Sequence, residues 1–415
     1  MSRFGIAVLG LLGGVLLFHA SPAAADPAVS VAVGDLDRNG MDDLVNIDAQ
    51  GNINVVLCYA DGSFSVTTYS PGDLVQPSSV AVADVNGDGW PDVIVTDASD
   101  AGHGVHVLLN NGDGTLAAEV VYASGPSGGP GPQAVAVVDV NGDGFPDIVT
   151  ANGTAGNVSV LLNTGKGTFS TALQYPAGAN AVAVAAADLN GDGKPDIVTA
   201  DLSDNSVAVL LNNGDGGFAA PVEQAVGSGP VAVTLSDVNN DGHQDIIVAD
   251  QNDNNIAVLL GKGDGTFVAP VFYQTGLLPS WITAQAMSGS GLPDIVTDNY
   301  SDGSVSVFTN KGNGNFSQAQ QVYPAYGSDD TVVMPVSGSS TPAVVSVDLQ
   351  VSSVVVTAAP ATAGTPPVKN PPKPGVYQVQ GTKASNVSGH AGALDALALL
   401  FLAALLARRR FTRPA

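Results

Sequence analysis

The hydrophobic and polar positions between residues 181 and 222 fall into blocks that predict four short strands. Residues 182–186 are small and apolar, 197–200 and 207–211 are continuously apolar, and 218–222 contain a proline. Continuous apolar runs indicate strands buried on both faces, whereas a proline is typical of an edge strand. An Asp-rich loop, a polar turn and a Gly-rich hairpin separate the four blocks in that order.

This block recurs along the chain, and its acidic loop begins at Asp35, Asp84, Asp139, Asp188 and Asp237. Two degenerate copies follow: residues 286–294 keep only the last acid, and residues 335–343 keep none. Successive copies are 49, 55, 49, 49, 49 and 49 residues apart. A period near 50 with four strands per repeat is typical of a β-propeller. We therefore predict an all-β fold: a seven-bladed β-propeller of four-stranded antiparallel blades over residues 26–358.

The last predicted blade has strands at 332–336, 344–347 and 354–357. Its outer strand is expected at 376–380, within the segment 375–382 and beyond a Pro-rich stretch; without that strand the blade would be incomplete. In the other repeats a Phe or Leu follows the Gly-rich hairpin at the same position. Because the position recurs in every repeat, we expect this side chain to fill the gap between neighbouring blades.

The chemistry of the acidic loop points to a hard cation. Asp or Asn occupies loop positions 1, 3 and 5, Gly occupies position 6 and Asp occupies position 9 in the copies from Asp84 to Asp237. These are oxygen donors at calcium-loop spacing, which favours Ca²⁺ over Zn²⁺ or copper. An EF-hand would need Glu at position 12, where these copies have Val or Thr. The alternative is a set of acidic turns that hydrogen-bond to the backbone without a metal.

The five well-spaced copies resemble the FG-GAP/VCBS repeat family, which includes the propeller of integrin α subunits, over residues 28–358. The resemblance implies that each loop joins the first and second strands of a blade and binds Ca²⁺ on the lower face. Integrin propellers typically fill only some blades, so about five sites in series would depart from that pattern. Asp294 alone should not hold a metal. Carried over by position, the metal ligands would be Asp35, Asp37, Asn39 and Asp43; Asp84, Asn86, Asp88 and Asp92; Asp139, Asn141, Asp143 and Asp147; Asp188, Asn190, Asp192 and Asp196; and Asp237, Asn239, Asp241 and Asp245.

The charge of the chain narrows its partners. The net charge is −25, and of the 38 acidic residues all but Glu119 and Glu223 are Asp. A short carboxylate suits tight loops, where it can reach a metal or a nearby backbone N–H. The acidity argues against nucleic-acid binding, which requires Lys and Arg. Cys58 is the only cysteine, so it forms no internal disulfide, and we expect it to be a small buried side chain.

Both ends of the chain resemble processing signals. Residues 1–25 are typical of a signal peptide, with cleavage before Asp26. Residues 359–390 form a Pro-rich linker, and residues 391–415 an apolar run closed by Arg408, Arg409 and Arg410. This tail resembles the GlyGly-CTERM type of bacterial sorting signal, although its Gly pair is interrupted; a plain tail anchor is the alternative. We expect an exported protein, secreted or held on a bacterial cell surface, that contacts the membrane through this tail before or without processing.

No catalytic constellation stands out in the sequence, so we expect a non-enzymatic binding or adhesion module. Its protein or glycan ligand would bind the upper loop face, where 97–104, 124–133 and 277–281 are the longest or most aromatic loops, and Trp281 could stack on a sugar. His103 and His106 are interpreted as an exposed pair rather than a zinc site. The alternatives are a lectin or lyase-like glycan-active enzyme, which would need Tyr, His or Lys converging on a groove, and a structural surface spacer. We expect a monomer.

Overall fold

The computed structural model describes residues 8–11, 14–17, 28–48, 51–59, 64–99, 104–125, 131–288, 290–322, 330–334, 343–348, 353–358 and 376–378. Six antiparallel sheets of four strands are present in this part of the chain, and each corresponds to one sequence repeat. We number them blades 1 to 6 in chain order. No helix in the described residues has the length and apolarity needed to cross a membrane.

Within each blade the four strands follow one another in sequence and pair with their neighbours. Blade 1 comprises Ala28–Gly34, Asp43–Asp48, Ile53–Cys58 and Phe64–Tyr69; blade 2, Pro77–Ala83, Asp92–Asp97, Gly104–Leu108 and Val120–Ala123; blade 3, Ala134–Val138, Asp147–Ala151, Asn157–Leu161 and Leu173–Pro176. Blade 4 comprises Ala181–Ala187, Asp196–Asp201, Ser206–Leu210 and Val222–Ala225; blade 5, Pro230–Ser236, Asp245–Asp250, Asn255–Leu259 and Val271–Gln274; blade 6, Pro279–Gln285, Asp294–Asn299, Ser304–Phe308 and Gln320–Val322. In blade 6 the hairpin between the third and fourth strands adds a two-stranded pair, Asn310–Gly312 with Asn315–Phe316.

Burial changes systematically across each blade. The first strands lie side by side from blade to blade and are half-buried, as in Ala181–Ala187. The second and third strands are almost completely buried, as in Asp196–Asp201 and Ser206–Leu210, because neighbouring blades cover both of their faces. The fourth strands are mostly exposed, as in Val222–Ala225. This gradient explains why the sequence alternates only weakly in its two central strands and contains prolines near its outer ones.

The cores lie between blades rather than within them. Five clusters of buried side chains each join two successive blades, from blades 1 and 2 to blades 5 and 6. The Leu or Phe after the hairpin of blades 2 to 6 lies in each of these interfaces as predicted. The ring of Phe169 in blade 3 meets Tyr122 of blade 2 edge-on, with centroids 5.3 Å apart. Phe218 and Phe316 make the same contact with Tyr175 and Tyr273 of the preceding blades.

A glycine in the same hairpin allows this close approach. Gly167 has a φ of +70°, and a Cβ placed on it would lie 2.7 Å from Leu109 of blade 2. Gly216 and Gly265 have the same positive φ and the same closeness to a leucine of the preceding blade. Only glycine accommodates both the left-handed backbone and the leucine, which explains why the G-x-G hairpin recurs.

The predicted all-β propeller of four-stranded antiparallel blades is confirmed, but the predicted number of seven is wrong, because six four-stranded blades are present among the described residues. The last repeat does form strands close to their predicted positions, at Asp330–Met334, Ala343–Asp348, Ser353–Ala358 and Val376–Gln378. Their sheet has six strands, because the hairpin Val8–Leu11 and Gly14–Leu17 pairs with the edge at Asp330–Met334. An open edge of unpaired N–H and C=O groups is a template for any extended apolar segment, and the N-terminal run supplies one. The predicted cleavage site, most of the Pro-rich linker and the C-terminal tail lie outside the described residues.

Candidate metal centre

Each acidic loop joins the first strand of a blade to the second, as the family resemblance implied. We number its nine positions from Asp35, Asp84, Asp139, Asp188 and Asp237 in blades 1 to 5; the corresponding loop of blade 6 starts at Ala286. Position 2 is a buried apolar residue, and position 9 is the first residue of the second strand. The loop is therefore anchored at both ends in the core, while positions 3 to 7 face solvent or are half-buried.

The position 9 carboxylate is a buried structural group in all six blades. In blade 2 the Asp92 side chain is 0% exposed; its Oδ2 accepts the N–H of Val85 at 3.0 Å, and its Oδ1 accepts the N–H of Asn110 at 2.7 Å. The carboxylate thus ties loop position 2 to the end of the third strand. The same pair of bonds is made by Asp43, Asp147, Asp196, Asp245 and Asp294, with lengths between 2.7 and 3.0 Å.

Burial perturbs these carboxyl groups. Desolvation raises the pKa of Asp92 to about 6; the two backbone N–H donors oppose this rise, and the charges of Asp88 and Asp84 add to it. Burial likewise raises the pKa of Asp43, Asp147 and Asp245 to about 6. Carboxylates at positions 1, 5 and 9 therefore repel one another, and a bound cation would relieve that repulsion.

Positions 1, 3 and 5 fold the loop through their own side chains. In blade 2 the two carboxylate oxygens of Asp84 accept the N–H groups of Gly87 and Gly89 at 2.8 and 2.7 Å. The side chains of Asn86 and Asp88 each accept the N–H two residues further on, both at 2.8 Å. These Asx-type turns hold the loop in shape and explain the preference for Asp and Asn over Glu.

Blade 1 shows the tightest convergence of acids. Ligand oxygens of Asp35, Asp37 and Asp43 all lie within 4.8 Å of one another, the one such group of three acidic, His or Cys residues among those described. In blades 2 to 5 an Asn stands at position 3 instead. In three of these blades its Nδ2 donates to the Asp at position 5, with a distance of 2.8 Å between Asn86 and Asp88. The donor set is made of carboxylate and amide oxygens with spare lone pairs, which fits a hard cation such as Ca²⁺.

The loop of blade 6 lacks the acids of positions 1 and 5 and keeps the two hydrogen bonds of the position 9 carboxylate. Asp294 still accepts the N–H groups of Met287 and Asn310, at 3.0 and 2.8 Å. Ser290 replaces the Asp of position 5, and its hydroxyl accepts the N–H of Leu292 at 3.1 Å. Position 9 is therefore retained in a loop that has no other carboxylate.

An asparagine whose role was not predicted from the sequence joins the loops of successive blades. Asn163, at the end of the third strand of blade 3, donates through Nδ2 to the carbonyl of Val85 in the loop of blade 2, at 2.7 Å. The same Nδ2 donates to Pro146 of its own loop, at 2.9 Å. We call this residue the Asn latch; it is 3% to 4% exposed in each blade that has it. The four latches are Asn110, Asn163, Asn212 and Asn310. The recurrence of Asn at one position was the signal that could have revealed it.

At the opposite end of the blades, three buried acids terminate second strands: Asp97, Asp201 and Asp250. Burial opposes ionisation of Asp97, but the N–H groups of Val75, Ser99 and Gln76 outweigh it and lower the pKa of this carboxyl. Asp201 and Asp250 are 0% exposed, and burial raises their pKa values to about 7 and about 8. Blades 3 and 6 carry Asn152 and Asn299 there. In blade 3 the Nδ2 of Asn152 donates to Asn157 across the hairpin, at 2.6 Å.

Three expectations about single residues have clear outcomes. Trp281 lies in the half-buried first strand of blade 6, paired with Asp298, so its predicted place in an upper loop is wrong. In the 49-residue repeat Trp281 takes the position of Ala232, which lies in the first strand of blade 5, Pro230–Ser236. Of the predicted exposed pair, His103 lies outside the described residues and His106 is not exposed. His106 is 0% exposed within a third strand, and its Nδ1 lies 2.6 Å from Glu119. Cys58 is buried as predicted, and burial raises the pKa of its thiol to about 12.

Comparison with known proteins agrees with this architecture. No curated protein matches the chain. Among solved structures it is similar to BBS1N, crystallised in complex with ARL6DN, with a TM-score of 0.53 and 13% identity over 87% of this chain and 99% of that one. It is also similar to a streptogramin B lyase, with a TM-score of 0.52 and 14% identity over 78% of this chain and 95% of that one. At such identities the likeness concerns the fold alone.

The family assignment follows from the repeats themselves. The model of the FG-GAP-like repeat matches five overlapping segments, residues 35–95, 84–150, 139–199, 188–248 and 237–297. Every segment runs from position 1 of one acidic loop into the second strand of the next blade. Together the segments cover more than half of the sequence, and the chain belongs to the FG-GAP-like repeat family.

Proposed function

We propose that this protein is an exported, calcium-binding propeller whose upper loops bind a protein or glycan ligand without catalysis. The observation that carries the proposal is the acidic loop itself, repeated in blades 1 to 5 and already folded by its own Asx turns. A cation that binds such a loop pays little ordering entropy, because the oxygen-bearing side chains are held near one centre. The ligands proposed are the side chains at positions 1, 3, 5 and 9.

Calcium would act mainly on stability. Extracellular calcium modules bind with Kd values of about 10⁻⁴–10⁻³ M, so at ~1 mM Ca²⁺ each site would contribute roughly 0.4–1.4 kcal/mol. Five independent sites would then add about 2–7 kcal/mol, which is comparable with the net stability of about 5–15 kcal/mol of a typical domain.

The test is a thermal melt of the full chain in ~1 mM Ca²⁺ and in excess chelator, combined with calorimetric titration of the chelated protein. We expect about five bound ions and a melting temperature several degrees lower in chelator. Mg²⁺ at the same concentration is the control, because it tolerates this flexible oxygen geometry poorly. Equal melting temperatures with and without Ca²⁺, and no binding heat, would contradict the proposal.

The ligand-binding role is assigned to the end of the blades opposite the acidic loops. Blade 2 lengthens its upper loops and breaks the 49-residue period, a departure that packing between blades does not require. A glycan array and a pull-down with the calcium-loaded full chain test this assignment. Replacing residues 98–103 with a short Gly-Ser turn should abolish binding and leave the calcium count unchanged. Product release from an arrayed glycan would favour the enzymatic alternative, and unchanged ligand affinity would place binding elsewhere.

Export and display at the cell surface, with membrane contact through the C-terminal tail, complete the proposal. The first support is the sequence of the two ends, which resembles processing signals. The second is that calcium loops with Kd values of about 10⁻⁴–10⁻³ M are typical of extracellular modules. N-terminal sequencing of the protein from culture medium and from cell envelopes should give Asp26 as the first residue. The mature chain would then lack the two strands, Val8–Leu11 and Gly14–Leu17, that the full sequence adds to the sheet of the last repeat. A mature chain that retains residues 1–25 would contradict export by this route.

A further inference from the structure

The backbone at position 2 of each acidic loop is bonded on both sides. In blade 2 the N–H of Val85 is held by Asp92 of the same loop, and its C=O is held by the latch Asn163 of blade 3. Val85 is 0% exposed, so neither bond competes with water. Position 2 lies between the proposed ligands at positions 1 and 3, and any cation that fixes those ligands also fixes this carbonyl.

The latch residue is also hydrogen-bonded to the acidic loop of its own blade. The backbone N–H of Asn163 donates to Asp147, the position 9 carboxylate of blade 3, at 2.7 Å, and the other oxygen of Asp147 accepts the N–H of Val140 at 2.9 Å. The carbonyl of Val140 in turn accepts Nδ2 of Asn212 in blade 4, at 2.8 Å. One continuous line of buried hydrogen bonds thus runs through the loops of blades 1, 2, 3 and 4.

The line is interrupted between blades 4 and 5. Gly261 stands where a latch would be, and a Cβ at this position would overlap the carbonyl oxygen of Gln244. The position 2 carbonyl of blade 4, on Leu189, accepts only the backbone N–H of Gly265 in the hairpin of blade 5, at 3.1 Å, among the described residues. The equivalent backbone bond, from Gly167 to Val85 at 3.1 Å, accompanies the latch between blades 2 and 3, so what blade 5 lacks is the side-chain bond. The line resumes with Asn310, which joins blade 6 to Val238 of blade 5 at 2.8 Å, but the loop of blade 6 lacks the acids of positions 1, 3 and 5.

We infer that the Asn latches couple calcium binding between neighbouring blades, so that the sites of blades 1 to 4 fill cooperatively and the site of blade 5 fills independently. The inference rests on the proposed calcium-binding function. An ion in one loop orders the position 2 carbonyl and the latch that donates to it. The latch orders the position 9 carboxylate of the next loop, so the next ion meets a loop that is already ordered.

Two matched variants test this coupling. Asn163→Ala and Asn310→Ala remove the same three hydrogen bonds. Two are donated by Nδ2, one to the preceding loop and one to a Pro carbonyl of the same blade, and one is accepted by Oδ1 from a glycine N–H of the hairpin. Only the first variant separates two metal sites. In calorimetric titrations of the full chain we expect a Hill coefficient above one for the wild type and for Asn310→Ala. In Asn163→Ala the coefficient should fall towards one, and the titration should broaden.

A third variant and the melts keep the outcomes distinct. Asn212→Ala, which separates blades 3 and 4, should behave like Asn163→Ala, and a cooperative melt in each case shows that the variant folds. Equal cooperativity in the wild type, Asn163→Ala and Asn310→Ala, with about five ions bound, would overturn the coupling and leave calcium binding intact. Absence of any calcium binding by the wild type would instead overturn the proposed function itself.

Discussion

The acidic loops of blades 4 and 6 have the same backbone role and different chemistry. Both are tied by a buried position 9 Asp, Asp196 or Asp294, to position 2 and to the end of the third strand. Blade 4 carries Asp188, Asn190 and Asp192 in the exposed part of the loop, where blade 6 has Ala and two Ser. The motif therefore has two parts. The position 9 carboxylate is present in both loops and supports the backbone, whereas the acids of positions 1 and 5 are absent from blade 6.

The separation assigns a physical reason to each acid. Removal of the position 9 carboxylate would strand two buried N–H groups, so even a loop without the other acids retains it. The acids at positions 1 and 5 bond to N–H groups near solvent, where water can replace them at little cost. The presence of these acids in five blades, despite their mutual repulsion, supports the proposed cation, which would relieve that repulsion.

The largest effect should come from removing the common element of the two loops. Asp196→Ala and Asp294→Ala each leave two buried N–H groups unpaired, which should lower the free energy of unfolding by about 2–5 kcal/mol in both blades. Urea denaturation in chelator measures this without any contribution from calcium. Asp294→Ala should also leave the calcium count unchanged. A nearly neutral Asp294→Ala would show that the carboxylate serves no structural purpose.

A second, smaller effect is expected on the pH dependence of stability. It arises at the other end of the blades, where blade 5 has a buried Asp and blades 3 and 6 have Asn. Burial raises the pKa of Asp250 above its unfolded value, to about 8. The folded state therefore favours the protonated acid, and this stabilisation is present in full below about pH 4 and is lost as the pH rises towards 8. Stability should fall by a few kcal/mol across that range.

Asp250→Asn should flatten this pH profile. Neither Asp250 Oδ1 nor Asn255 Oδ1 has a hydrogen-bond partner among the described residues. An amide at position 250 could donate to Asn255 as Asn152 donates to Asn157 in blade 3. We expect the variant to gain stability of about 1–3 kcal/mol at pH 8.5, as measured by urea denaturation between pH 5 and 9. A profile that keeps the wild-type slope would assign the pH dependence to other groups.

The smallest effect on stability should come from giving the blade 4 loop the residues that blade 6 has at positions 1, 3 and 5. The triple variant Asp188→Ala, Asn190→Ser, Asp192→Ser retains Asp196 and supplies a hydroxyl at position 5, as Ser290 does in blade 6. Its stability in chelator should stay within about 1 kcal/mol of the wild type, because the lost bonds lie near solvent and a repulsion is relieved. The calcium count should fall by about one. An unchanged count would remove blade 4 from the set of sites.

The period and the apolar blocks predicted most of the fold. Each blade has four strands near the predicted positions, and Phe169 and its equivalents fill the interfaces, because both properties depend on local patterns repeated several times. The six-stranded sheet of the last repeat could not be predicted in the same way. Whether an open edge pairs with a far segment such as Gly14–Leu17 depends on which apolar segments are available, and periodicity carries no information about that.

The loop chemistry was predictable as a set of residues and not as a set of roles. A short carboxylate suits both a cation and a pair of backbone N–H groups, so sequence alone predicted a ligand role for Asp92 and did not reveal its two buried hydrogen bonds. Blade 6 held the clue, since Asp294 persists after its neighbours are lost. The Asn latch escaped notice because it acts on a carbonyl some seventy residues earlier: the bond from Asn110 to Leu36 spans 74 residues, a separation that no local pattern reports.

The latches also have a direction. In every case the donating side chain belongs to the later blade and the receiving carbonyl to the earlier one. As a chain is synthesised from its N-terminus, each new blade therefore meets a predecessor that already presents its acceptor. In an unfinished chain, every latch side chain already synthesised has its acceptor carbonyl in an earlier blade. We expect the propeller to assemble blade by blade during synthesis, with few long-lived intermediates that expose unpaired buried amides.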